Sequence, residues 1–186
     1  MGRDVHTKTM KKLHFGCGGM NLGGWENHDA EVDIRKPLPF PNGSASRIFA
    51  EHVLEHVTHQ EAWRFLEECF RVLAPNGVVR IAIPDVERMF SNMTMDYQQA
   101  VQKDVGGDGS FKAAIKAAVF EHGHQAAWTQ EMLFTFMESI GFEAFDRDAG
   151  FSKFPDLVGV EQHGKTVGEH IARVETSVVE GVKPAC

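Results

Sequence analysis

Runs of basic residues are missing from this 186-residue sequence: Lys11–Lys12 and Arg35–Lys36 are its only adjacent basic pairs, and the formal net charge is -7. That balance argues against a broad electrostatic footprint for nucleic acid. Cysteine is also scarce. Cys17, Cys69 and Cys186 are odd in number and far apart, which argues against a disulfide framework and for a reducing compartment. No stretch is long and apolar enough to span a bilayer, and the polar N-terminal segment has no apolar signal core. The expectation is a cytoplasmic protein with no membrane association. Internal repeats and low-complexity tracts are absent as well.

What is present is an ordinary globular composition, 42% hydrophobic and 24% charged. At this length it predicts one domain over residues 1–186, with a loose segment at 1–10. The chain is organised around Leu13–Asp33. An apolar strand candidate, Lys12–Phe15, breaks into a glycine turn (Gly16, Gly18, Gly19), and a second glycine pair leads to two carboxylates, Asp29 and Asp33. Glycines after a strand admit a ligand close to the backbone, where N–H groups favour polar or anionic atoms. A carboxylate further on suits the hydroxyls of a ribose. The pattern suggests an adenosine-containing ligand.

Further along, Trp25–Asp29 and Glu31–Ile34 read as two short extended segments, and 36–44 as a rigid Pro-rich turn. Arg47–Glu51 has strand character. Thr58 and Glu61 form a capping box that starts a helix near His59, with Ala62, Leu66, Cys69, Phe70 and Leu73 on one face and Pro75-Asn76-Gly77 as its stop. Val78–Ile83 is the strongest strand. Residues 86–125 are rich in methionine and aromatics and read as a helical insertion or lid, with Ser110 capping an Ala-rich helix to Phe120. Thr129 caps another helix, ended by Gly141, and Glu143–Arg147 and Glu175–Val182 are the last strands. Strand, turn, helix, strand in alternation predicts an α/β protein with a mostly parallel sheet.

The segments LHFGCG, GWENHD, EVDIRKPLPFPNGS, EHVLEH and RVLAPNGVVRIAIPD, followed by His124 and Trp128 ahead of a helix, occur in one order. In that order they resemble the class I S-adenosylmethionine-dependent methyltransferases, specifically the small type-11-like members. The resemblance covers residues 12–142. It implies a doubly wound, Rossmann-like sheet whose last strand is antiparallel. The implied activity is methyl transfer from S-adenosylmethionine to a small or glycan-related acceptor, with a homo-oligomer as an option.

The resemblance also implies roles. Gly16, Cys17 and Gly18, with Gly19 as an addition, would lie under the cofactor. Asp29, ending the second strand, would take the ribose hydroxyls. Asp33 and Ile34, after a third strand, would meet the adenine. Glu51 and His52, ending the next strand, would contact the methionine end or the acceptor. Methyl transfer needs mainly positioning, because the sulfonium is an activated donor, and a base only where the acceptor must lose a proton. His124, His122 and His52 are the candidates, with His124 and His52 carried forward as catalytic. Trp128, Phe90, Met93 and Tyr97 are candidates for either acceptor-pocket walls or core.

The sequence departs from the family pattern in several places. His14 stands where an acidic residue is common, and Met20 replaces the third glycine. Asp29 follows Gly18 by only 11 residues and Asp33 follows at once, so the first half of the fold must be shortened. A methyltransferase-fold module with relaxed or lost cofactor binding is therefore the alternative. A nicotinamide enzyme is disfavoured because Asn21 occupies the third glycine position of G-x-G-x-x-G. His52-Val-Leu-Glu55-His56 matches the H-x-x-E-H of certain zinc hydrolases. Because His52 ends a strand, the two histidines would not share a helical face, and no metal is expected.

Overall fold

A computed structural model describes residues 10–185, apart from the side chains at 104, 105, 117 and 118. The segment expected to be loose thus lies outside the described residues except for Met10, as does Cys186. Six strands make one sheet: β1 Lys11–Phe15, β2 Glu26–His28, β3 Ala45–Glu51, β4 Leu73–Pro84, β5 Glu143–Arg147 and β6 Thr176–Val182. Their spatial order is β2-β1-β3-β4-β6-β5. The first four are mutually parallel, and β6 runs antiparallel between β4 and β5. The helices are α1 His59–Val72, α2 Val86–Asn92, α3 Met95–Val105, α4 Phe111–Phe120, α5 Gln130–Ile140, α6 His163–Val167 and α7 Glu169–Glu175. This is the expected doubly wound, mostly parallel sheet with an antiparallel last strand.

Two expectations need correction. Glu31–Ile34 is not extended. It forms turns, in which Val32 N donates to Asp29 O (3.0 Å) and Lys36 N to Asp33 O (3.0 Å). β2 is therefore the sheet edge, and the third strand expected just after it, at Glu31–Ile34, is absent. A parallel neighbour requires a crossover of a dozen or more residues, which the chain between Asp29 and Asp33 cannot supply. Likewise, α1 ends at Val72 rather than running to Pro75, and Leu73 is already extended. Pro75-Asn76-Gly77 forms an irregularity at the start of β4, with Asn76 at φ 61°. Ala45 pairs with Leu73 but Arg47 with Val78, so the extra residues are looped out of the ladder.

Helix α1 follows from its sequence. Thr58 accepts from Glu61 N while Glu61 accepts from Thr58 N (2.9 Å), the full capping box. Such a cap contributes about 1 kcal/mol. Ala62, Phe65, Leu66, Cys69 and Val72 are its buried face. Burying each large apolar side chain among them stabilises by ~1.5–3 kcal/mol. The Pro-rich turn is fastened to this helix by Arg71, which donates to the carbonyls of Leu38 and Phe40 and to Glu68. Cys17 and Cys69 are buried free thiols.

On the other side of the sheet, Arg80 of β4 is fully buried. It lies directly opposite Glu180 of β6 and donates to it at 2.7 Å. It also pairs with Glu161 and donates to Phe151 O at 3.0 Å, which fastens the loop after β5 over the sheet. Residues 86–125 carry α2, α3 and α4. Tyr97 and Ala114 from this region join Ile171 and Val174 in a second apolar cluster, separate from the main core. Tyr97 and Ile171 of that cluster line one cavity with His52, which follows β3, and Pro84, which ends β4.

Candidate active site

Because β1 to β4 are parallel, the turns after all four strands open on one rim, where ligands bind in open α/β sheets. The start of antiparallel β6 reaches the same rim, since Thr176 is the ladder partner of Pro84. The glycine turn after β1 divides into two parts. A side-chain carbon at Gly16 would come within 2.2 Å of Val53 Cγ2, so this glycine lets the exit of β3 pack against the turn. Cys17 is buried, and its N–H donates to His28 O (3.1 Å), tying the turn to β2. Gly18 and Gly19 differ. Both have positive φ (50° and 85°), both are exposed, and nothing lies within 4 Å of where a Cβ would stand. They make an open backbone cradle.

The two aspartates have unlike surroundings. Asp29 is exposed immediately after β2, and its carboxylate has no hydrogen-bond or ion-pair partner among the described residues. Asp33 is held by Arg35, from Nε at 2.8 Å and from the other guanidinium nitrogen at 3.1 Å, with Lys36 at 3.5 Å. The Arg35 contacts keep its carboxyl well below the usual carboxylate range. Ile34 packs against the main core. His14, two residues before Gly16, is buried between Phe49 (5.1 Å ring to ring) and Asn27, whose Oδ1 lies 2.9 Å from Nδ1. Burial lowers its pKa, outweighing the Asn27 contact and the charge of Asp29.

At the end of β3, Glu51 Oε2 accepts from the backbone N–H groups of Gln162 (2.7 Å) and His163 (3.1 Å). Its other oxygen is buried with no hydrogen-bond partner among the described residues. Burial raises the Glu51 pKa despite those amides and the neighbouring histidines. By capping the start of α6, Glu51 brings His163 onto His52, ring centroids 3.8 Å apart. His52 has φ 51° and lies between Thr176 Oγ1 (3.0 Å) and Glu55 (3.3 Å). Burial pulls its pKa down, but the Glu55 contact and the charges of Glu55, Glu175 and Glu51 outweigh burial and leave it raised.

His163 Nε2 pairs with Glu175, whose second oxygen accepts from Tyr97 Oη at 2.9 Å. Burial would raise Glu175, but His163, His52 and Tyr97 hold it below its ordinary value, while burial and Glu175 push Tyr97 up. These groups line a cavity of ≈ 710 Å³ together with Met89, His124 and Ile171.

Comparisons with known proteins agree with this fold. Residues 23–81 match the profile of the methyltransferase domain, a match that begins after the glycine turn and ends in β4. No curated protein matches the sequence. Among solved structures, a SAM-dependent methyltransferase from Archaeoglobus fulgidus superposes with TM-score 0.55 at 12% identity, covering 95% of this chain and 87% of that one. Phosphoethanolamine N-methyltransferase 2 of Haemonchus contortus, solved with S-adenosyl-L-methionine, superposes with TM-score 0.56 at 14% identity. That match covers 95% of this chain, which spans 49% of the Haemonchus chain.

The fold is that of the class I methyltransferases.

Within that methyltransferase fold, the residues expected from sequence fall into two groups. Gly16, Cys17, Gly18, Asp29, Glu51 and His52 all lie on the strand-end rim, whereas Asp33 and Ile34 are engaged in the turn that replaces a third strand. His52 and His124 both line the cavity. Of the four candidate pocket walls, only Tyr97 lines it. Trp128 is fully buried against His59 and Phe136, Phe90 is exposed beside Phe111, and Met93 packs on the second cluster.

Sequence reasoning missed His163 and Glu175. They approach the rim through the Glu51 cap and the antiparallel β6, and no local spacing announces them. Asp85 of the Pro-Asp pair is structural. Its oxygens accept from Glu87 N, Arg88 N, Gln130 N and Ser177 Oγ, starting α2 and fastening α5.

Proposed function

We propose that the protein is an S-adenosylmethionine-dependent methyltransferase for a small acceptor. The observation that carries this reading is the open cradle of Gly18 and Gly19 and an unengaged Asp29 at the ends of β1 and β2, on the same strand-end rim as an ionisable cavity. The residues fit the cofactor. Gly18 and Gly19 leave room for close approach, Asp29 has both oxygens to offer two ribose hydroxyls, and the orphaned Glu51 oxygen suits an ammonium. Bound S-adenosylmethionine supplies a methyl group already activated by its sulfonium.

The chain's own residues orient and deprotonate the acceptor. The cavity is of the size that small ligands occupy and is walled by Met89, Tyr97 and Ile171. His163 takes the acceptor proton. Glu175 holds its Nε2, which leaves Nδ1 as the basic nitrogen, and the same carboxylate stabilises the imidazolium that forms. His52, stacked on His163, orients that ring. Tyr97, kept protonated, anchors Glu175 from the other side. The bound cofactor would supply the methyl group, and the proton that the acceptor loses on methylation would end on His163, with Glu175 balancing the charge.

The buried free thiols of Cys17 and Cys69 support a reducing, cytoplasmic setting, and among the described residues no helix is long and apolar enough to cross a membrane. Calorimetric titration with S-adenosylmethionine and S-adenosylhomocysteine tests the cofactor reading; absence of binding to both refutes it. The absent third strand and buried His14 favour a second reading, a non-catalytic module on the same fold. It predicts binding without turnover of any acceptor, or no binding.

A further inference from the structure

Of the H-x-x-E-H stretch, the reading above uses His52 but neither Glu55 nor His56. His52 Nε2 turns to Thr176, whereas His56 meets the His124 ring edge-on at 4.9 Å. Between them, Glu55 sits on the single 3-10 turn Leu54–His56 with its side chain only 1% exposed. It lines the cavity, yet neither carboxylate oxygen has a hydrogen-bond partner among the described residues. His52 Nδ1 at 3.3 Å and His56 Nε2 at 4.0 Å approach Oε1 as ion-pair partners, and Oε2 is left unanswered. A buried carboxylate with one oxygen unanswered is costly to keep ionised, and a further cation is a direct remedy.

The backbone holds the neighbouring ligands in place. Gln125 N (2.7 Å) and Ala126 N (3.2 Å) donate to Glu55 O, and Gln125 Nε2 donates to His56 O (2.7 Å). These bonds clamp the 3-10 turn to the segment that carries His124. As a result, one ligand atom from each of Glu55, His56 and His124 lies within 4.8 Å of the others. Around a tetrahedral ion with bonds of about 2.0–2.1 Å, neighbouring ligand atoms stand roughly 3.3 Å apart. His56, with 43% of its side chain exposed, is free to swing inward and close that gap.

We propose that Glu55, His56 and His124 form a site for a borderline divalent d-block cation, of the zinc or cobalt(II) type. Two imidazoles and one carboxylate are the donors such ions prefer, whereas magnesium and calcium take oxygen. Three protein ligands leave a coordination position open towards the cavity, where a water or another oxygen ligand binds. This inference does not depend on the cofactor reading. It departs from the metal-free expectation because Glu55, not His52, completes the set with His56.

The test is titration of the metal-free full chain with Co²⁺, without S-adenosylmethionine, followed by visible absorption, with zinc content measured after dialysis. One equivalent of Co²⁺ should bind with ligand-field bands of low-coordinate nitrogen and oxygen ligation. Glu55→Gln, His56→Ala and His124→Ala should each weaken it at least 100-fold. His163→Ala, from the neighbouring His52–His163–Glu175 group, and the exposed His170→Ala should leave it unchanged, with thermal melts confirming that each variant folds. Absence of a 1:1 Co²⁺ spectrum overturns the proposal. So does binding that survives His56→Ala and His124→Ala, or binding that His163→Ala abolishes.

Discussion

The two aspartates of the opening stretch should separate cleanly on mutation. Asp29 is exposed and has no partner among the described residues, so Asp29→Ala removes nothing the fold uses and should change stability by less than about 0.5 kcal/mol. If its oxygens accept two ribose hydroxyls, each charge-assisted bond at an exposed site is worth about 1.5 kcal/mol, the low end for such bonds. Losing both costs about 3 kcal/mol, or about 150-fold in Kd for S-adenosylhomocysteine. Asp29→Asn, which loses the charge and keeps one acceptor, should cost about tenfold. Asp33→Ala should do the reverse. It releases Arg35 and Lys36 and lowers the melting temperature slightly, while Kd stays at the wild-type value. Titration calorimetry and thermal unfolding on the same preparations read both effects. Wild-type affinity in Asp29→Ala, or an equal loss in Asp33→Ala, would refute the assignment of the ribose to Asp29.

Three further outcomes follow from the structure. Arg80→Met should destabilise the fold by about 3–5 kcal/mol in urea unfolding, because Glu180 and Glu161 lose their shared cation inside the protein. Arg80→Met with Glu180→Leu should recover part of that loss; a larger loss in the double variant would contradict the charge argument. His163→Asn should lower kcat by roughly a hundredfold, the usual scale for a general base, without altering the Kd for S-adenosylhomocysteine. An unchanged kcat would exclude His163 as the base. Burial holds the folded-state pKa of His14 below its unfolded value of about 6.5. Its contribution is thus present above pH 6.5 and is lost as pH falls through the folded value. Urea midpoints followed from pH 7.5 to 5 should decline in the wild type more than in His14→Asn, and equal slopes would show that His14 is not buried as a neutral ring.

Much of the fold was legible because its signals are local. The capping box at Thr58, the apolar run of β4, the Thr129 cap and the Gly141 stop each act over one helical turn or one strand, and each appears where the sequence puts it. The misreadings arose where local propensity met a constraint from elsewhere. Glu31–Ile34 has extended character, but a parallel strand there has no crossover to reach it. Pro75-Asn76-Gly77 looked like a helix stop, yet β4 recruits it because the partner strands are already in register.

For the site, the sequence by itself determined the strand ends and what they carry. The parallel order places Gly18, Asp29, Glu51 and His52 on one rim, and each marks a turn that its own residues encode. Only the tertiary structure decided which of them is free to act. Asp33 is taken by Arg35, two residues away, while Asp29 is left open, a difference of side-chain geometry that spacing cannot convey. The arrival of His163 and Glu175 beside His52 depends on a cap by Glu51 and on a strand that runs backwards from more than a hundred residues downstream. Contacts of that range depend on how the sheet closes, and no local pattern in the sequence records them.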